Sequence, residues 1–249
     1  MKFLCVSDQI DPLVYSANAK ERFADVDAVL CAGDLPSDYI DFIVSTLNKP
    51  TYFIFGNHNL TEFLYYHRHA ASEEMARFDE KQALPAYELH FSHGAVYVGF
   101  KALAEKALPL PARNGKTRPL LIAGASGSIR YNKGLSQYTD RQMFFHLLML
   151  VPRLLWNKLR YGTYVDIFLT HASPRHVHDR EDPCHKGFDC FNWFIQRFKP
   201  AYLVHGHIHL YDLAEERVTV VGATTVVNAY SYCIIELDGS KARTQTETA

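Results

Sequence analysis

Five short apolar runs in this chain are each followed at once by side chains that bind metal ions or move protons. Phe3–Val6 leads into Ser7-Asp8, Ala28–Ala32 into Gly33-Asp34, and Tyr52–Phe55 into Gly56-Asn57-His58-Asn59. Ile167–Thr170 leads into His171, and Tyr202–Val204 into His205-Gly206-His207-Ile208-His209. Taken singly these signals are weak. A lone Gly-Asp is a turn, and a lone His at a strand end is more often hydrogen-bonded or solvated than a ligand. Taken in order they deliver Asp, Asp, Asn-His, His and His-x-His behind successive buried runs. A donor set that mixes carboxylate, amide oxygen and imidazole suits Mn²⁺, Fe or Zn²⁺ better than Ca²⁺ or Mg²⁺, which prefer oxygen alone. The interspersed glycines let the backbone turn sharply and let a ligand come close.

Residues so far apart in sequence act together only if the elements bearing them converge. The runs above, with Leu120–Ala123, are apolar without alternation, as expected of strands covered on both faces. Ligands in open α/β sheets gather at the carboxyl ends of strands, which is where each run places its polar residues. Further β-rich runs follow at Val218–Val221, Thr225–Val227 and Tyr232–Leu237. Helical spacing appears at Asp38–Leu47, Leu60–Ala83, Asp140–Arg160 and Phe188–Phe198, with an interruption or bend expected at Pro152. Residues 104–119, rich in Pro, Asn and Gly, read as a loop. Strands alternating with helices, then a β-rich last third, predict two packed sheets flanked by helices. No linker divides the chain, so residues 1–249 are taken as one domain, with 239–249 as a polar tail that frays.

Composition narrows the function. Of 249 residues, 48% are hydrophobic and the net charge is −1, so a large core forms and no global field draws in nucleic acid. The longest greasy stretch, Met143–Val151, is far short of the roughly 18 residues a membrane span needs. The five cysteines are odd in number and form no Cys-x-x-Cys pair, which fits a reducing compartment. The expectation is a cytoplasmic protein with no transmembrane segment and no clear nucleic-acid binding; a homo-oligomer is left open.

With these residues in place, the sequence from Ser7 to His209 resembles the calcineurin-like metallophosphoesterases. Their signature runs Asp-x-His, Gly-Asp, Gly-Asn-His, a lone His and Gly-His-x-His. The resemblance implies a four-layer α/β/β/α sandwich of two mixed β-sheets, carrying a two-metal centre at its rim. It implies that Asp34 bridges both metals, that Asp8 and His209 hold the first, and that Asn57, His171 and His207 hold the second. His58 would lie beside the phosphate as acid or transition-state stabiliser. The cofactors would be two divalent ions, Mn²⁺ first, with Fe or Zn²⁺ as alternatives. One position departs from the signature: the first motif reads Asp8-Gln9-Ile10, so a side chain with no donor stands where the His belongs. Three protein ligands still suffice for a catalytic metal, and Gln9 or Asp11 could add a donor at unusual spacing. A weaker first site is the expectation.

Three further stretches carry a functional reading beside a bland one. Gly124–Arg130 brings Ser126, Ser128 and Arg130 towards a phosphate, or is an ordinary glycine turn. The polar loop Arg175–Gly187 shapes the substrate pocket through His178 and His185, or is a solvated loop. The greasy stretch Met143–Trp156, with Arg141, Arg153, Lys158 and Arg160 nearby, docks a lipid or a hydrophobic substrate tail, or is core packing or a dimer face.

The function expected is hydrolysis of a phosphate mono- or diester, on a small phosphorylated substrate, by attack of a metal-bound hydroxide. The alternative is a metal-binding scaffold or interaction module whose first metal site has decayed at Ile10.

Overall fold

The computed structural model describes residues 1–58, 60, 63, 94–112, 115–212, 215–238 and 241–244. Two six-stranded mixed sheets dominate them. The first is built from β1 (Lys2–Ser7), β2 (Ala28–Cys31), β3 (Thr51–Phe53), β4 (Val96–Tyr97), β13 (Ser231–Asp238) and β14 (Lys241–Thr244), in the order β14-β13-β1-β2-β3-β4. The second is built from β5 (Ala102–Pro111), β6 (Thr117–Ala125), β9 (Ile167–Thr170), β10 (Tyr202–His205), β11 (Val218–Val221) and β12 (Thr224–Asn228). Its order is β11-β12-β10-β9-β6-β5. A two-stranded ribbon, β7 (Ser128–Ile129) with β8 (Gln137–Tyr138), stands apart. The helices are α1 (Ala19–Arg22), α2 (Ser37–Leu47), α3 (Asp140–Tyr161) and α4 (Asp189–Phe198).

The unbroken apolar runs are explained by what each face meets. In β1, Phe3 and Cys5 point into the layer between the sheets, with Leu30, Tyr52, Ile122, Leu169, Val204 and Ile235. Leu4 and Val6 point the other way, onto Phe23 and the α2 residues Tyr39, Ile40, Ile43 and Leu47. In the second sheet Ile167 and Leu169 face inward, while Phe168 and Leu203 meet Met143, Leu147 and Leu150 of α3 and Phe191 and Phe194 of α4. Helix, sheet, sheet and helix are thus four layers, the architecture the resemblance implied.

The parallel core of each sheet sets where the site lies. β1, β2 and β3 run parallel in one, and β6, β9, β10 and β12 in the other. Their carboxyl ends face each other across one rim: the amide of Gly206, after β10, donates to His171 O, after β9, and the ring of His171 reaches Ala32 O, after β2.

Three local expectations change. The described residues of 104–119 are not a loop but most of the strand pair β5 with β6. Pro109 and Pro111 are accommodated because β5 is an edge strand whose register shifts between Glu105 and Pro109. Helix α3 is one element from Asp140 to Tyr161 with Pro152 inside it, so it is not interrupted there. Its buried seam (Met143, Leu147, Leu150, Leu154 and Asn157) and a capping box between Thr139 and Gln142 hold it together across the missing N–H. Residues 241–244 of the tail form β14 on β13. The helix expected over Leu60–Ala83 lies almost wholly outside the described residues.

Candidate metal centre

Asp34 ends the turn after β2, and His171 follows β9 directly. Nε2 of His171 lies 3.2 Å from Oδ2 of Asp34 and 3.1 Å from Oδ1 of Asn57. Nδ1 of the same ring donates to the carbonyl of Ala32 at 2.9 Å. That bond fixes the tautomer, leaving the Nε2 lone pair aimed at two oxygens that also carry lone pairs. Nδ2 of Asn57 donates to the hydroxyl of Tyr131 at 3.1 Å, which turns Oδ1 towards the histidine. His207 donates from Nε2 to the carbonyl of Cys184 at 2.6 Å, so Nδ1 is its nitrogen left with a lone pair. Asp34, His171 and His207 each present a ligand atom, all within 4.8 Å of one another.

Electron-rich atoms brought this close repel unless a cation sits among them. In the protein alone a proton takes that place. Burial disfavours the charge on His171, yet Asp34 and Asp8 outweigh it and lift the imidazole to about 9. Burial would likewise raise Asp34, but the charge and hydrogen bond of His171 hold its carboxyl down at about 2. His207 is pushed down to about 4 by burial and by the neighbouring His171 charge, and so stays neutral at physiological pH. Carboxylate, amide oxygen and two imidazoles with fixed tautomers fit a divalent cation.

The backbone is bent to achieve this. Asp8, Asp34 and His207 have φ of 65°, 54° and 67°, a left-handed region that costs a non-glycine residue energy. Two motif glycines are required by space. A Cβ on Gly56 would stand 2.1 Å from Oδ1 of Asp34, and one on Gly206 would stand 1.8 Å from Oγ of Ser7.

Asp8 and His209 stand beside this trio. The Asp8 carboxylate is buried; it accepts from the amide of His207 at 3.1 and 2.9 Å and from the hydroxyl of Ser7. His209 is partly exposed, with Nε2 3.8 Å from Oδ1 of Asp8 and Nδ1 3.1 Å from the hydroxyl of Tyr211. Ile10 is exposed. Asp11 does not stand in for the missing ligand, because its Oδ1 accepts from the amide of Leu13 and its Oδ2 from the hydroxyl of Ser231. Gln9 is exposed to solvent. His58 is exposed at the rim, and its backbone amide donates to Oδ1 of Asp34 at 2.7 Å.

A sequence model of the calcineurin-like phosphoesterases matches residues 1–211. The chain belongs to the calcineurin-like phosphoesterase family. No curated protein sequence matches it. Among solved structures, TT1561 of Thermus thermophilus superposes with a TM-score of 0.57 at 16% identity, over 98% of both chains. GAP50, the anchor in the inner membrane complex of Plasmodium, superposes with a TM-score of 0.51 at 10% identity, over 99% of this chain and 84% of that one. A further crystal structure reaches 0.60 at 13% identity over 99% of both chains. At such identities the likeness is one of fold. Membership of the calcineurin-like phosphoesterases implies divalent metal ions, which the donor set fits.

In this phosphoesterase fold the other candidates fall in different places. Arg130 is exposed and donates from Nη2 to the carbonyl of Gln137; its neighbour Tyr131, not singled out from sequence, is the one that reaches Asn57. Ser126 is buried and accepts from the amide of Phe55, pinning the chain just beyond β3. His178 does not face the trio. Its Nδ1 donates to Nε2 of His205 at 2.9 Å, and its Nε2 accepts from the hydroxyl of Thr219 at 2.9 Å. His205, also unanticipated, passes the chain on from Nδ1 to the carbonyl of Gly206. Burial lowers both rings, in keeping with two neutral imidazoles. His185 is nearer the centre, its ring 5.3 Å from that of His207, and its Nδ1 bonds to Asp182. The loop bearing it is braced rather than loose: Arg175 pairs with Asp179 and Glu181, and Arg180 donates to the carbonyl of His209.

Proposed function

We propose that the protein hydrolyses a phosphate mono- or diester of a small substrate with the help of two divalent metal ions. The observation that carries this reading is the convergence of Asp34, Asn57, His171 and His207, with one nitrogen of each imidazole and the amide nitrogen of Asn57 tied to Ala32, Cys184 and Tyr131. Asn57, His171 and His207 would hold the tighter ion, with Asp34 shared. Asp8 and His209, with Asp34 but without a fourth donor at Ile10, would hold the weaker one. Ions bound there would supply Lewis acidity, activating water and neutralising charge on phosphate oxygens. Mn²⁺ is the ion proposed, with Fe or Zn²⁺ as alternatives.

The chain's own residues do the rest. Ala32 O and Cys184 O hold the two imidazoles in the ligating tautomer. Tyr131 keeps the oxygen of Asn57 pointed inward. His58, exposed beside Asp34, is the group available to substrate for neutralising a phosphate oxygen or protonating the departing oxygen. His185 stands on the braced loop over His207, where it can contact the same substrate.

Turnover of an aryl phosphodiester and an aryl phosphomonoester with added Mn²⁺ tests the reading. His58→Ala should keep metal stoichiometry and lose about 10²–10⁴-fold in kcat, the usual contribution of a positioned acid. Wild-type turnover in that variant would remove His58 from the chemistry. A folded, metal-loaded sample inactive on both esters would favour the other reading, a metal-binding scaffold, to which the donorless Ile10 points.

A further inference from the structure

Helix α3 shows opposite faces to two environments. Its seam of Met143, Leu147, Leu150, Leu154 and Asn157 is buried on the second sheet and on α4. At 100° per residue, the line diametrically opposite that seam runs through Phe145, Leu148, Met149, Leu155, Trp156 and Leu159. A surface helix ordinarily carries polar side chains there. Instead Met149 is 76%, Trp156 54% and Leu159 81% exposed, and Phe145, Leu148 and Leu155 are exposed too. The stripe spans about 20 Å along the axis, and no described residue covers it.

Charge says what this stripe fits. The helix carries four cations, Arg141, Arg153, Lys158 and Arg160, on a chain whose net charge is −1. Its one carboxylate, Asp140 at the first position, is engaged by the amide of Cys190 at 3.0 Å. Beyond the carboxyl end of the helix opens a cleft of about 1110 Å³ whose lining includes Lys106, Lys158 and Arg160 and, among the described residues, no acidic side chain. The helix terminus accounts for the last-turn cations, Lys158, which donates to Gly162 O at 2.9 Å, and Arg160, but not for Arg141 and Arg153. A second copy of the chain is a poor partner: a two-fold contact between identical faces sets the cations of one against those of the other.

We propose that this face of α3 docks the protein on the surface of a bilayer rich in anionic phospholipid. The apolar stripe lies at the boundary of headgroups and acyl chains. The Arg and Lys stems follow it, and their charged ends meet lipid phosphates there and in the adjoining cleft. Spanning is not involved, since no helix of the described residues is long and apolar enough to cross a membrane. This surface is separate from the metal centre and does not depend on the proposed chemistry.

Sedimentation of the full chain with vesicles tests it, using phosphatidylcholine alone and phosphatidylcholine mixed with phosphatidylglycerol. The mixed vesicles should bind it about tenfold or more tightly than the neutral ones, with the difference shrinking as salt is added. The triple variant M149E/W156E/L159E should lose vesicle binding by about tenfold or more, while R153E/R160E should lose the preference for phosphatidylglycerol. All five side chains are exposed, and an unchanged melting temperature verifies that the variants fold. Absence of binding to either vesicle would overturn the proposal. So would equal binding of the triple variant, or a concentration-dependent dimer that the triple variant abolishes.

Discussion

Nε2 of His171 faces Oδ2 of Asp34 across 3.2 Å, while Nδ1 of the same ring is tied to the carbonyl of Ala32. The ring therefore has one atom to offer, and proton and metal compete for it. In the metal-free protein, the raised His171 contributes stability that is full below its unfolded value of about 6.5 and is lost as pH rises through about 9. The depressed Asp34 contributes stability present above about 3.9 and lost as pH falls through about 2. Both describe one ion pair, whose contribution is complete between about pH 4 and pH 6.5. Calorimetric metal titrations at pH 7 in buffers of different ionisation enthalpy should detect about one proton released per ion at this site. Apparent affinity should rise about tenfold per pH unit up to about 9. Release of no proton would mean that His171 does not give up its place to the metal.

The Cβ that Gly56→Ala introduces would meet Oδ1 of Asp34 at 2.1 Å and Cε1 of His171 at 2.7 Å. Neither can retreat, because Asp34 is held by the amide of His58 and His171 by Ala32. The variant should lose about 1–3 kcal/mol of stability and bind Mn²⁺ at least about tenfold more weakly. Denaturant unfolding and equilibrium dialysis measure the two effects separately.

Ile10 is 43% exposed, so Ile10→His disturbs little packing and should change stability by less than about 0.5 kcal/mol. If Asp8 and His209 form a weak site, the added imidazole should tighten it by about tenfold or more, a typical effect of one additional ligand or its support. Metal content after dialysis against limiting Mn²⁺ reads this directly. An unaltered metal content would show that position 10 is not directed at the site.

Arg118 and Asp166 form a buried pair at the opposite, amino-terminal end of β9, joined by two hydrogen bonds of 2.6 and 2.7 Å. Asp166 also accepts from the amide of Leu121 at 2.9 Å. Burial raises the Asp166 carboxyl even with its partner present. Arg118→Ala strands that carboxylate and should cost about 3–5 kcal/mol, with metal stoichiometry of the folded fraction unchanged. Thermal unfolding and metal analysis of the same sample distinguish this stabilising role from a role at the metal centre.

The strands and the order of polar residues behind them were determined by the sequence. Unbroken apolar runs such as Ile167–Thr170 mark strands covered on both faces, and the residue after such a run must leave the sheet at its rim. His171 follows its strand directly for that reason, whereas His207, two residues beyond β10, was named through the resemblance of Gly206–His209 to the family signature. The resemblance to the family's Asp-x-His motif likewise marked Ile10 as standing where a donor is expected.

Which side chains meet was decided only in three dimensions. Asn57 and Tyr131, or Cys184 and His207, share no periodicity or spacing, since contacts between the two sheets and the crossing loops depend on how the layers stack. The same stacking turned His178 towards His205 and Thr219, away from the trio. It also left the apolar stripe of α3 facing outward. A helix apolar on both sides has two candidate seams, and only the shape of the neighbouring sheet and of α4 selects the one that is buried.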